Sequence, residues 1–262
     1  MVNVRMPAVA GTFYPAEAHA LRQAIAHYLA QAPEVAGSAP KAIIAPHAGY
    51  TYSGPIAATA YVRLRQAVGT ITCVVLLGPA HRVGFRGLAL SSAEYFQTPL
   101  GKIPLDVAAR EALRSLPQVQ TFDAAHAHEH SLEVHLPFLQ EVLGEFTLMP
   151  LVVGEAEPAE VGEVLERLWG GAETLIVVSS DLSHYHDYAS AQRIDRATSR
   201  AIEALDVEAI DYGCACGRNP VNGLLTVARR RGLRLRLVDL RNSGDTGGQR
   251  ESVVGYGAYV CE

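Results

Sequence analysis

A chain of 262 residues, 49% hydrophobic and 19% charged, can bury a sizeable core, and with a formal charge of −5 and its one short basic stretch, Arg229–Arg231, expected at a helix end, it offers no continuous track for nucleic-acid phosphates. No apolar run approaches the ~20 residues that span a bilayer, and the first residues lack the order of a secretory signal. A cytoplasmic protein of one domain, residues 1–262, with neither membrane nor nucleic acid as partner, is the expectation.

In chain order, Leu21, Ile25 and Leu29 predict a helix over about Ala16–Ala30, followed by a strand at Ala42–Ala45 and a helix beginning near Pro55. The run Ile71–Leu77 reads as a strand, Gly87–Leu90 as a short one, and Val107–Leu116 as a helix closed by Pro117. Leu132, Leu136, Leu139 and Leu143 form an apolar stripe that predicts a helix over Ser131–Leu143, which Pro137 bends or shortens unless it lies in the first turns. Strands are predicted at Phe146–Val153, Leu175–Ser179, Leu233–Leu240 and Ser252–Val260. Helices are predicted at Ala159–Leu168, Ala189–Leu205 and Val221–Arg231. Such alternation implies a three-layer α/β/α sandwich around a mostly parallel or mixed sheet.

Three of these strands end in short polar segments: APHAGYTYSG with His47, GPAHR with His81, and SSDLSHYHD with Asp181, His184 and His186. Buried parallel strands deliver such loops to one sheet edge, where imidazole and carboxylate groups far apart in sequence can meet. His47 and His81 are the first candidate ligands for a divalent metal, because two histidines with one carboxylate suit iron, zinc or copper and leave positions open. Asp181 and His184 are candidate catalytic groups, the carboxylate orienting an imidazole that moves a proton, although SSDLS is also a good helix cap. The segment HAHEHSLEVH offers His130 and Glu133 as pocket-lining groups, with His126 and His128 expected in solvent. Tyr50 and Tyr52 are expected at the entrance. Asp245, in the glycine-rich NSGDTGG turn, is a candidate third ligand, though such turns are common without function. Cys73, Cys214, Cys216 and Cys261 read as reduced, partly buried thiols, the C-x-C pair lacking the partners of a structural zinc site. Phosphate-binding glycine motifs and the hydrolase G-x-S-x-G elbow are absent from the sequence.

The blocks RMPAVAGTFYP, APHAGYTYSG, LLGPAHR, TPLG, EHSLEVHLPFL, VVSSDLSHY and NSGD with VVGYGAY, in order from Arg5 to Tyr259, resemble the Memo family, also called AmmeMemoRadiSam system protein B. That resemblance implies an α/β/α fold similar to class III extradiol dioxygenases, which open catechol rings with non-haem iron. It implies His47 and His81 as ligands, His184 in the position of the dioxygenases' catalytic histidine with Asp181 beside it, and a third ligand in the NSGD segment. Asp245 is the nearest donor there, whereas animal relatives carry a cysteine near that point. Animal relatives are linked to signalling and to iron or copper handling. Microbial ones are often encoded near radical-SAM and AMMECR-type proteins, which the resemblance therefore implies as partners.

Fold likeness does not decide chemistry. The leading expectation is a metal-dependent oxidoreductase of dioxygenase type, holding Fe2+ and acting on a small oxygen-bearing molecule. The alternatives are a non-enzymatic metal-binding or adaptor protein taking a peptide or protein partner in the same cleft, and a hydrolase using zinc.

Overall fold

The computed structural model describes residues 2–33 and 37–262. In chain order its elements are β1 (Val4–Arg5), α1 (Ala18–Gln31), β2 (Ala42–Ala45), α2 (Tyr50–Tyr61), β3 (Cys73–Pro79), β4 (Leu88–Leu90), β5 (Tyr95–Thr98), β6 (Gly101–Pro104), α3 (Val107–Leu113), β7 (Val119–Thr121), α4 (Asp123–Ala127) and α5 (Leu136–Leu143). Then follow β8 (Thr147–Val153), α6 (Pro158–Arg167), β9 (Thr174–Ser179), β10 (His184–His186), α7 (Tyr188–Glu203), α8 (Arg218–Arg231), β11 (Leu235–Asn242), α9 (Ser243–Thr246) and β12 (Val253–Cys261).

The central strands are apolar on both faces because both faces are covered. Ile43, Ala45, Val74, Leu76, Leu175 and Val177 enter one core with the buried faces of α1, α2 and α5. The alternating residues Ala42, Ile44, Val75, Leu77, Ile176 and Val178 enter the other, against α3, α6, α8 and the end of α7. The result is a three-layer α/β/α sandwich in which each buried aliphatic side chain contributes roughly 1.5–3 kcal/mol.

The large sheet runs in the order β10-β12-β2-β9-β3-β8-β4-β7, with β11 also paired to β12. Its middle, β2-β9-β3-β8, is parallel, with Ala45 opposite Ser179 and Leu77 opposite Val178. Antiparallel pairs flank it, β12 on β2 and β4 on β8. Since β2, β9 and β3 are parallel neighbours, the loops that follow them leave one edge of the sheet side by side. A separate three-stranded sheet, β1-β5-β6, lies outside the predicted alternation.

Two elements differ from expectation in ways that bear on the site. Helix α2 starts at Tyr50, five residues before Pro55, which sits inside it. Tyr50 is fixed by tertiary contact, its hydroxyl donating to the Val134 carbonyl at 2.7 Å and its ring packing on Phe138 at 5.0 Å. That anchoring outweighs the hydrogen bond Pro55 cannot donate. The predicted 131–143 helix divides into a 3-10 turn at Glu133–His135 and α5, with Pro137 in the first turn of α5, where it is tolerated. Among the described residues, no helix is long and apolar enough to cross a membrane.

Candidate metal centre

His47 leaves β2 two residues after Ala45 and is buried. Its Nδ1 lies 2.6 Å from Ser179 Oγ, and that hydroxyl donates to the Ser131 carbonyl at 2.6 Å. The hydroxyl proton is thus committed, so Nδ1–H donates to Oγ and the Nε2 lone pair is left as the ring's acceptor. Burial holds the imidazole well below the usual histidine range, reinforced by the potential charges of His81, His130, His135 and His184. It is a neutral, preoriented base.

His81 leaves β3 in the same way, and Glu129 orients it. The carboxylate accepts the His81 backbone N–H at 2.6 Å and Nδ1–H at 2.9 Å, plus the N–H groups of His130 and Ser131 at 2.9 Å each. Burial would raise this carboxyl, but the hydrogen bonds and charge of His81 hold it down at about 2. A carboxylate accepting from Nδ1–H is the arrangement that fixes the other nitrogen of a metal-binding histidine. Gly78 makes the approach feasible: a Cβ there would lie 2.8 Å from Ser131 Oγ and 2.9 Å from a Leu132 methyl.

The third donor brought to this pair is Cys216. One ligand atom from each of His47, His81 and Cys216 lies within 4.8 Å of the others, and Cys216 Sγ is 3.4 Å from His47 Nε2. Burial and the neighbouring Asp181 push the thiol up, so it is protonated and its S–H can point to Nε2. The sulfur reaches the edge because Gly217 has no side chain, its virtual Cβ falling 2.4 Å from the Ser179 carbonyl oxygen. In the sequence, Cys216 is far from any histidine. The signal that could have found it is a cysteine followed at once by glycine at a helix start.

Asp245 does not join these groups. It is the third residue of the short α9, its Oδ2 accepting from Asn242 N at 3.0 Å and its Oδ1 from the Tyr188 hydroxyl at 2.6 Å. The turn reading of NSGD is the one this geometry matches, because the carboxylate closes a capping box with Asn242.

Asp181 follows β9 and is buried beside His47, accepting its backbone N–H at 2.8 Å, with the other oxygen 3.9 Å from His47 Nε2. Burial pushes this carboxyl up to about 7, against the pull of the His47 and Ala48 N–H groups and of His81. Its partner N–H belongs to another loop, so it caps no helix of its own. His184 opens β10, half-buried; burial lowers it, against a bond to the Leu182 carbonyl, and the nearby His81 lowers it too. His130 stacks on His81 at 4.8 Å and meets His47 edge-on at 5.5 Å. His81, Glu129 and His130 form a second close donor group, but the four N–H bonds on Glu129 make it a support for His81.

The remaining expectations separate cleanly. Tyr52 is 41% exposed on the first turn of α2, while Tyr50 is in the core and away from any entrance. Glu133 does not line a pocket. It is fully buried and accepts from Arg5, from the Ala8 and Val9 N–H groups at 2.7 and 3.0 Å, and from the Tyr14 hydroxyl at 2.6 Å, which clamps the amino-terminal segment. His126, expected in solvent, is buried with Nε2 on the Ala89 carbonyl at 2.9 Å, whereas His128 and His186 are exposed.

A three-layer α/β/α protein with histidines at the ends of adjacent parallel strands and a cysteine closing the group defines the class. The profile described as Memo-like protein matches residues 5–260, and the chain belongs to that family. It is 36% identical to a MEMO1 family protein of Aquifex aeolicus over 97% of this chain and 98% of that one. Likeness to MEMO1 family proteins of Ignicoccus hospitalis, 37% identical with 97% of each covered, and of Methanosarcina acetivorans, 34% with 100% of each, is similar. A crystal structure described as an uncharacterized protein from Escherichia coli K12 is similar in fold, with a TM-score of 0.51 at 16% identity over 84% of this chain and 98% of that one.

Proposed function

We propose that the protein binds one divalent metal through His47, His81 and Cys216 and is an oxidoreductase of dioxygenase type acting on a small oxygen-bearing molecule. The observation that supports this most is the pair of imidazoles whose Nδ1 atoms are committed to Ser179 and Glu129, leaving two Nε2 lone pairs beside one thiol. Nothing in ordinary packing requires two such lone pairs at one sheet edge. Two imidazoles and the thiolate that Cys216 would become suit iron, zinc or copper, and ferrous iron, when bound, would supply redox chemistry toward oxygen and open positions for a substrate. The Cys216 proton must leave when a cation binds. Asp181 would hold the His47 loop through its N–H bond, and His184 would take a proton from the substrate as a neutral base.

The test is elemental analysis of protein purified without chelator or added metal, for the wild type, His47→Ala and Cys216→Ser, followed by anaerobic ferrous loading and oxygen uptake against a catechol panel. The expected result is about one metal per wild-type chain, lost in His47→Ala and weakened in Cys216→Ser, with turnover by the iron form. Equal metal content in all three proteins would refute the ligand assignment. Iron bound without oxygen uptake would remove the dioxygenase reading, and zinc retained with ester or amide hydrolysis would replace it by the hydrolase one.

A further inference from the structure

Helix α7 buries Ala191, Asp195, Thr198, Ser199, Ala201 and Ile202, and Asp195 is the one ionisable group among them. A carboxylate seldom occupies the buried face of a helix unless it has partners there. Its Oδ1 accepts the Ser183 N–H at 3.0 Å, and its Oδ2 lies against Gly255, where a Cβ would fall 2.1 Å from that oxygen. Gly255 grips the same two residues through its backbone. Its carbonyl accepts the Leu182 N–H and its own N–H donates to the Ser183 carbonyl, each at 2.8 Å.

The Ser183 N–H and the Leu182 carbonyl are the two ends of one planar peptide. That carbonyl accepts a hydrogen bond from the His184 ring. A carboxylate on the N–H side therefore fixes the direction of the carbonyl and polarises it into a better acceptor. The bond the carbonyl receives decides which ring nitrogen of neutral His184 carries the proton.

The backbone just beyond this peptide is strained. β10 is the edge strand of the large sheet, its register against β12 slips between His184 and His186, and the intervening Tyr185 has a φ of 61° although it is not glycine. Bulges at a sheet edge re-aim a side chain, and a left-handed tyrosine persists only where its surroundings over-determine it. Asp195 and Gly255 supply that restraint on the amino-terminal side. His184 stands in the field of the histidine centre: charge on His81 lowers it, and charge on His184 lowers His47.

We propose that Asp195 is the positioning residue for His184, acting through the Leu182–Ser183 peptide to hold the imidazole in one tautomer and one orientation beside His47 and His81. This rests on the reading of His184 as the base that takes the substrate proton.

The test is NMR of the full chain, labelled with 15N-histidine, freed of metal and kept at a pH where His184 is neutral, its ring signals being assigned by their loss in His184→Gln. The wild type should show a single His184 tautomer. In Asp195→Ala the Ser183 N–H loses its acceptor, and the two ring-nitrogen signals of His184 should average toward a mixture of tautomers. The signals of His126 and His135, buried elsewhere in the fold, should stay. Asp195→Asn keeps an acceptor for that N–H and should restore the single tautomer. Gly255→Ala pushes the carboxylate off the N–H without removing it, and repeats the effect should Asp195→Ala fail to fold. A single His184 tautomer in both alanine variants, averaging that Asp195→Asn does not restore, or His126 and His135 moving together with His184 would each overturn the positioning role. Oxygen uptake by the iron-loaded chain separates the two readings. Asp195→Ala should lower kcat by about tenfold with metal content unchanged, whereas no uptake by the wild type would overturn His184 as the base while the ring signals still decide the positioning.

Discussion

Replacing Glu133 by glutamine tests whether this residue is a clamp or a ligand contact. Its carboxylate is fully buried and receives the Arg5 guanidinium, two backbone N–H groups and the Tyr14 hydroxyl. A glutamine keeps the shape, but it loses the charge that balances Arg5 and turns one acceptor into an NH2 that faces existing donors. Breaking a buried ion pair by removing one partner costs about 3–5 kcal/mol, and the unpaired N–H groups fall within that sum because they share the same oxygens. At roughly 2–4 °C per kcal/mol for a chain near this size, the melting temperature should fall by roughly 6–20 °C. Urea and thermal unfolding followed by circular dichroism measure the loss. Limited proteolysis should release residues 2–17 first, since four of the bonds that hold them end on Glu133. A glutamine variant within ~1 kcal/mol of the wild type would refute the clamp, and lost ligand binding at unchanged stability would restore the pocket-lining role.

Glu129→Gln should weaken metal binding by about 10- to 100-fold, because the carboxylate charge is lost and one of the two oxygens that orient His81 becomes an NH2 facing its donors; calorimetric titration with Co2+ measures this, and unchanged affinity would show that His81 needs no such support. Gly217→Ala places a Cβ 2.4 Å from the Ser179 carbonyl and 2.6 Å from Ser180 Cβ, so the turn must move, costing about 1–3 kcal/mol and carrying Cys216 away from His47. A wild-type melting temperature and metal affinity together would contradict it. Acid should destabilise the fold through its neutral histidines: burial lowers His126 to about 4, against its bond to Ala89, and His135 to about 3. The unfolded chain protonates both at about 6.5, so their contribution is complete above that pH and falls by about 1.4 kcal/mol per pH unit for each as pH drops toward the folded values. Asp181, raised to about 7, acts in the opposite sense over part of this window. The clean readout is therefore the difference in slope between wild type and His135→Gln, measured by urea unfolding from pH 7 to pH 5. Parallel profiles would refute the assignment of His135 as a buried neutral base.

Periodicity was sufficient for the layers. Apolar runs such as Ile43–Ala45 and Leu175–Val178 are buried on both faces, a condition visible in composition because covered parallel strands tolerate no polar alternation. The same logic placed His47, His81 and Asp181 at one edge, since it needs only that their strands be parallel neighbours. Elements that depend on remote partners were illegible: α2 begins at Tyr50 because of Val134 and Phe138, and β5 pairs in parallel with a two-residue strand near the amino terminus.

What the sequence determined by itself, then, is the sandwich, its family and the placement of His47 and His81 at one sheet edge, because hydrophobic period and strand-end loops are local properties. That Cys216 lies beside them, and that Glu133 clamps the amino terminus, were decided only in three dimensions. Cys216 and Glu133 meet partners 169 and 128 residues away, and Asp245 is held by its own turn. Contacts over such separations are set by how the layers pack, a quantity no local pattern carries.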